Sequence, residues 1–230
     1  MAFLDSANGR IQQQIIFDAI SELFPKTDGT AILDAAGGIG WLAAKLKTGG
    51  NRIYACDFSR TLIAAGQRRF PAVEFSHCDL TGPLPYPDGF FDAAILNMAA
   101  PDIAELSAAL KNLAAKIKMG GRLVMTVPNP YLTYPVAVWK RSIADAILGR
   151  KPRLRFNRVY PAKKNIVREF NGKKISSHFY TLDDYLAAAR QAGVSLFNMR
   201  KLKSQTDSGR FDLSYQMFRY PLILLMEFRK

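Results

Sequence analysis

The stretch Ala31-Ile32-Leu33-Asp34-Ala35-Ala36-Gly37-Gly38-Ile39-Gly40 constrains this chain more than any other. An apolar run ends in a carboxylate, passes through four small residues and opens into helical spacing at Trp41, Leu42, Ala43, Ala44 and Leu46. A short buried strand that feeds a glycine turn and a helix makes a concave backbone site for a ligand. With no β-carbon in the way, the ligand reaches the main chain. The helix start beyond the turn is expected to supply free N–H groups.

Ahead of this stretch, Ile11, Ile15, Ile16, Ala19, Ile20 and Leu23 fall at helical spacing. They predict an N-terminal helix within residues 1–27, with Asn8 as its cap and Pro25 as its stop. Further strands are expected at Arg52–Asp57, Val73–Asp79, Phe91–Asn97 and Arg122–Val127. Helices are expected between them, from Ser59 to Arg69 and from Ile103 to Lys118, the second closed by Gly120-Gly121. Strands alternating with helices, and apolar runs without strict period-two alternation, predict an α/β fold with a buried parallel sheet and helices on both faces. The alternation then breaks. Residues 129–180 read as an insertion over the ligand edge of the sheet, with a hairpin turn at Asn171-Gly172. Thr181-Leu-Asp-Asp starts a capped helix ending at Gly193, and Val194–Lys203 and Leu222–Phe228 supply two last strands. Residues 1–230 therefore read as a single domain carrying an inserted subdomain.

Hydrophobic residues make up 49% of the chain, including 15 Phe and 9 Tyr, enough for a real core. No apolar run reaches the roughly 18 residues that cross a bilayer. The first residues, Met-Ala-Phe-Leu-Asp-Ser, lack the basic-then-apolar pattern of a secretory leader, so the expected location is cytoplasmic. Cys56 and Cys78 lie in apolar strand-like runs and are expected to be reduced core thiols. The net charge is +13, and its placement matters more than its size. Between Lys140 and Lys174 twelve Lys or Arg face only Asp145 and Glu169, 12 − 2 = +10. Such a segment suits an anionic substrate, a polyanion or an anionic membrane surface, and a solvated basic face is the plain alternative.

Asp34, Asp57 and Asp79 stand at or near the C-terminal ends of the first three strands, the edge where open α/β sheets bind ligands. Any one of them alone could be a turn or capping residue; three at matching positions point to a ligand with hydroxyls, an exocyclic amine and a positive charge. Asp57 suits two ribose hydroxyls and Asp79 an adenine amino group, with Phe58 and Leu80 as packing surfaces for the ring. A nicotinamide enzyme shares the strand–turn–helix. The glycines at 37, 38 and 40 do not make Gly-x-Gly-x-x-Gly, however, and Asp34 aims negative charge where a pyrophosphate would need donors. Tyr160 and Lys164 have reductase spacing but enclose Pro161 within the insertion.

These residues resemble the class I S-adenosylmethionine-dependent methyltransferases, in particular the branch acting on quinones and natural products. Asp34-Ala-Ala-Gly-Gly-Ile-Gly40 is similar to the family's Asp-x-Ala/Gly-x-Gly-x-Gly loop, with Ala36 in place of its first glycine. Asp57 and Asp79 resemble its ribose and adenine acids. Pro85-Tyr-Pro-Asp-Gly-Phe-Phe-Asp92, Lys118-Met-Gly-Gly-Arg-Leu-Val and Val127-Pro-Asn-Pro130 are also similar at the matching places. The resemblance is firm over residues 28–130 and returns at His178-Phe-Tyr-Thr-Leu-Asp-Asp-Tyr. It implies a Rossmann-like sheet of seven strands ordered 3-2-1-4-5-7-6, strand 7 antiparallel. It also implies S-adenosylmethionine as cofactor, held by Asp34, Ala36, Gly38, Gly40, Asp57, Phe58, Asp79, Leu80 and Asn97. Asn129-Pro-Tyr131 looks like the Asn-Pro-Pro-Tyr of enzymes that methylate nucleobase amines, but it follows strand 5 rather than strand 4 and reads as a turn.

The expected reaction is in-line methyl transfer to an oxygen or nitrogen of a small molecule, anionic or lipid-like in character. His178 is the candidate base, and Tyr180 joins it as a candidate catalytic residue. A capping or surface role for His178 is the plain alternative, and His77, within strand 3, reads as structural. Tyr131, Tyr134 and Trp139 are candidate substrate walls, and no metal ligand set is assigned. Two alternatives differ in class: a tRNA or rRNA methyltransferase gripping phosphates with residues 140–174, and a cofactor-binding partner subunit without catalysis. Trp139 beside Lys140-Arg141 also suits peripheral contact with an anionic membrane. The sequence gives no reading of oligomeric state.

Overall fold

Parallel pairing around one fully buried strand organises the molecule. In the computed structural model, the described residues are 7–24, 29–47, 50–133, 136–140, 142–149, 153–156, 165–170, 173–203 and 220–230. Strand β1 (Ala31–Ala35) is buried at every position and lies between β2 (Arg52–Asp57) and β4 (Phe91–Asn97), parallel to both. Beyond these lie β3 (Glu74–His77) on one side and β5 (Ile117–Pro128) on the other. The last two strands, β10 (Ser195–Leu202) and β11 (Ile223–Arg229), complete the sheet, with β11 antiparallel to both β5 and β10.

The order is therefore β3-β2-β1-β4-β5-β11-β10. With the strands of the inserted segment set aside, this is the expected 3-2-1-4-5-7-6 arrangement.

Alternation along the strands sends side chains to two separate cores. Ala31, Leu33 and Ala35 face one layer, where α4 (Leu106–Lys116) and α6 (Leu182–Gln191) contribute Leu106, Leu110, Leu113, Tyr185 and Ala189. Ile32 faces the opposite layer, where α1 (Ala7–Ser21) and α2 (Trp41–Leu46) contribute Ile16, Ile20, Leu42 and Leu46. The short helix α3 (Arg60–Arg69) starts at Ser59, whose Oγ accepts the Leu62 N–H. A full capping box opens α6, where Thr181 and Asp184 satisfy each other's backbone N–H groups.

Three expectations are corrected. The helix expected from Ile103 begins only at Leu106, because Ala100–Asp102 forms a 3-10 turn with Pro101 inside it and Ile103 is extended. β5 starts at Ile117 rather than Arg122: Phe91 pairs with Ile117 and Ala93 with Arg122, so Gly120-Gly121 sits in an irregular strand opening. Lys230 holds that opening in place, its O accepting the Gly120 N–H and its N–H donating to Gly121 O. Finally, Cys56 and Cys78 are not reduced thiols but a disulfide, with Cα atoms 5.8 Å apart. Cys56 pairs with Ser76 in the parallel register, and the Cys78 N–H donates to Asp57 O just beyond the last pair, Asp57 with His77.

Residues 129–180 contain two antiparallel hairpins. One joins β6 (Ala137–Lys140) to β7 (Arg153–Phe156), with α5 (Ile143–Ile147) between them. The other joins β8 (Asn165–Phe170) to β9 (Lys173–His178), with Phe170 opposite Lys173, as the Asn171-Gly172 signal predicts. Tyr160 and Lys164 lie outside the described residues.

Candidate functional site

At the C-terminal end of β1 the chain leaves the sheet through Ala36, whose φ of +52° is left-handed although it carries a β-carbon. Gly38 and Gly40 are also left-handed, at +60° and +71°. The three glycines have different reasons to be glycine. A β-carbon on Gly37 would sit 2.8 Å from Asp34 Oδ2, and one on Gly40 would sit 2.5 Å from the Phe75 ring. Both are required by the protein's own packing. Only above Gly38 is there open space, its nearest neighbour being Leu62 Cδ1 at 3.9 Å.

The loop's N–H groups are largely committed within the protein. Gly37 N–H donates to Cys56 O, Gly38 N–H to Asp57 Oδ2 at 2.8 Å, and Gly40 N–H to Gly37 O. At the helix start, Ala43 N–H donates to Asp34 Oδ2 at 3.2 Å. The expectation of a row of free donors is therefore corrected at these four positions.

Asp34 is 1% exposed beneath the loop, and its Oδ1 has no hydrogen-bond partner. Burial raises its pKa to about 7; the Ala43 N–H pulls it down and the neighbouring Asp57 charge pushes it further up. Asp57, at the end of β2, accepts the Gly38 N–H on one oxygen and the Ser59 N–H on the other, both at 2.8 Å. Asp79 is exposed and accepts the Thr81 N–H and hydroxyl on Oδ1, which hold its carboxyl below the usual carboxylate range. Beside these acids Phe58 is 70% exposed, tilted against His77, whose Nε2 meets Phe58 O at 3.0 Å. Leu80, by contrast, is buried in the core layer of α4 and α6.

Above the loop lies a cavity of about 270 Å³. Ala36, Gly37 and Gly38 form its floor, Asn97 and Met98 one wall, and Gln12 and Gln13 of α1 another. Asn97 is held by the Thr126 hydroxyl, which donates to its Oδ1 at 2.6 Å. Met98 is the second left-handed residue with a β-carbon, at φ +57°, and its N–H bonds to Thr126 O. Among the described residues, the two non-glycine residues with positive φ thus line the same cavity, a concentration of backbone strain typical of functional sites. Gln12, Gln13 and Met98 were not legible as site residues, because helix-to-loop packing and a side-chain-held backbone twist leave no local pattern.

The two candidate catalytic residues lie elsewhere. His178, Tyr180, Pro101, Pro130 and Thr133 line a narrow cleft at the ends of β4 and β5 that shares no residue with the cavity above the loop. His178 stacks on Tyr180 with ring centroids 6.0 Å apart, and its Nδ1 is buried without a partner. The Tyr180 hydroxyl is within 2.7 Å of both Ile103 O and Ala104 O, anchoring the turn before α4. Burial raises its pKa, with the charges of Glu105 and Asp184 adding to the effect. Tyr131 is half exposed after β5. Tyr134 and the Trp139 side chain lie outside the described residues.

Comparison with known proteins places part of the chain among methyltransferase-like sequences. Residues 33–125 match the family model described as a methyltransferase domain. The chain is 32% identical over 127 residues to a demethylmenaquinone methyltransferase of Clavibacter sepedonicus, covering 52% of this chain and 51% of that protein. A protein of the same description from Paenarthrobacter aurescens is 30% identical over 125 residues, covering 54% and 47%. The chain thus spans about half the length of the curated relatives it matches. Among solved structures, an S-adenosylmethionine-dependent methyltransferase from Mesorhizobium loti superposes with a TM-score of 0.74 at 20% identity, over 96% of this chain and 100% of that one. That likeness establishes the fold.

Proposed function

We propose that this chain, whose residues 33–125 match the model of a methyltransferase domain, transfers a methyl group from S-adenosylmethionine to a small molecule. The hydrogen bonding of the glycine loop carries this reading. A pyrophosphate needs free donors at such a turn. Here Gly37, Gly38 and Gly40 donate inward, and a buried carboxylate with an unpaired oxygen lies beneath. That environment favours a cation over an anion.

The residues present fit the cofactor. Asp57 retains lone pairs on both oxygens for ribose hydroxyls, exposed Phe58 offers a face for the adenine, and Asp79 Oδ2 suits its amino group. Gly38 gives the close backbone approach, and Gln12, Gln13 and Asn97 present amides to the amino-acid end. Bound there, the cofactor supplies a methyl group on a sulfonium sulfur, already activated for in-line displacement. The protein contributes proximity, orientation and exclusion of water. An oxygen or nitrogen acceptor also needs its proton removed, and His178 Nδ1, buried and unpaired, is assigned that part. Tyr180 positions it by stacking and by anchoring the turn before α4. The relatives named as demethylmenaquinone methyltransferases support a quinone-like ring as acceptor class.

Calorimetric titration with S-adenosylmethionine and with NAD, followed by transfer of labelled methyl to reduced quinone (quinol) and phenol acceptors, tests the proposal. Binding of the first ligand alone, with label in an organic-soluble product, is the expected result. Preference for NAD, or binding without transfer to any acceptor, overturns it.

A further inference from the structure

The inserted segment carries a surface that neither the cofactor cavity nor the acceptor cleft uses. Helix α5 is opened by Ser142, whose Oγ accepts the Asp145 N–H and donates to Asp145 Oδ2. Ile143 and Ile147, one turn apart on this helix, are 82% and 80% exposed. Leu148 follows at 61%, and Phe156, ending β7, is also 61% exposed. None of the four belongs to either core layer.

Single exposed aliphatic residues are ordinary, but a group this large in so short a segment marks a surface that is covered in use. Its surroundings identify the cover. Lys140 and Arg155 are exposed on the two paired strands that flank the helix. The whole segment from Lys140 to Lys174 carries the +10 excess counted above. A nucleic acid would use the cations and leave the isoleucines in water. A second copy of this chain would bury the isoleucines but set like charges against each other. A bilayer with anionic headgroups satisfies both, since apolar tips enter the acyl boundary while basic residues meet phosphates.

We propose that α5, carried on the basic β6–β7 hairpin, forms a peripheral docking surface for anionic lipid bilayers, with Ile143, Ile147 and Leu148 as the inserting side chains. This goes beyond the methyl-transfer reading and does not depend on it.

Flotation of the full chain with phosphatidylcholine vesicles, with and without phosphatidylglycerol, tests the proposal. Binding is expected only with the anionic lipid. The double variant Ile143→Asn/Ile147→Asn should bind those vesicles roughly tenfold or more weakly, with an unchanged melting temperature and unchanged S-adenosylmethionine affinity. Absence of vesicle binding, or equal binding by the variant, overturns it. So does a wild-type dimer that the variant loses in sedimentation, or bulk tRNA binding that the variant loses in parallel. Cofactor affinity reports separately on the methyltransferase reading, so failure of one leaves the other legible.

Discussion

The Asp57 carboxylate accepts the Gly38 N–H at 2.8 Å, tying the end of β2 to the one loop glycine that faces open space. One acid thus shapes the turn and remains available to a ligand. Because its other oxygen holds the Ser59 N–H, Asp57 also fixes the start of α3. In the proposed reading, cofactor recognition and local fold are joined in this single side chain.

Asp57→Ala should therefore lower S-adenosylmethionine affinity by roughly 1.5–3 kcal/mol, about ten- to a hundredfold, through lost charged hydrogen bonds. Asp57→Asn keeps one acceptor and should lose less. Calorimetry on both variants checks the order; equal affinity in wild type and Asp57→Ala would remove the acid from the site.

The glycines should separate by experiment. Gly37→Ala places a β-carbon 2.8 Å from Asp34 Oδ2 and should destabilise the ligand-free protein by roughly 1–3 kcal/mol. Gly38→Ala adds a β-carbon that meets only Leu62 Cδ1, at 3.9 Å, and should chiefly weaken cofactor binding, beyond about 1–2 kcal/mol of left-handed strain. Ala36→Gly relieves the same strain and should raise the melting temperature. Thermal unfolding without ligand, compared with cofactor titration, tells these effects apart.

Much of this was readable because it is local. A buried run ending in Asp34, an acid closing β2 at Asp57 and another two residues beyond β3 at Asp79 announce strand ends and a ligand edge whatever packs around them. The reasons for individual glycines were not local. Gly40 is glycine because Phe75 of β3 packs against it, and the same ring lies 2.7 Å from a β-carbon built on Gly66. No spacing within the loop encodes that contact. The Cys56–Cys78 disulfide escaped for a like reason, since it depends on the parallel register of β2 and β3. The contacts of the Tyr180 hydroxyl with Ile103 O and Ala104 O are likewise made across the fold and leave no local pattern.

His178 and Tyr180 should accordingly part company. Tyr180→Phe removes a partly buried hydrogen bond and should cost about 1 kcal/mol of stability with a modest fall in turnover. His178→Ala should lower kcat by roughly a hundredfold or more while cofactor affinity holds. Equal turnover in wild type and His178→Ala would take the proton-accepting role away from the imidazole.

The last expectation concerns pH. Asp34 ionises near 3.8 in the unfolded chain, whereas in the folded protein burial holds its proton to about 7. Between these values the folded state binds more protons than the unfolded state. Stability therefore falls as pH rises through that window, then levels off above about 7. The full cost is on the order of 4 kcal/mol. Asp34→Asn can still accept the Ala43 N–H but cannot ionise, so its stability should be flatter across the same window. A cation bound above the loop reverses the preference and draws Asp34 into its ionised form. Cofactor binding near neutral pH should thus release a proton and tighten as pH rises from about 6 to 8, and Asp34→Asn should show neither effect. Calorimetry in buffers of different ionisation enthalpy measures the released proton directly. A pH-independent affinity with no proton release would mean that the buried carboxylate supports the loop without sensing the charge of the ligand above it.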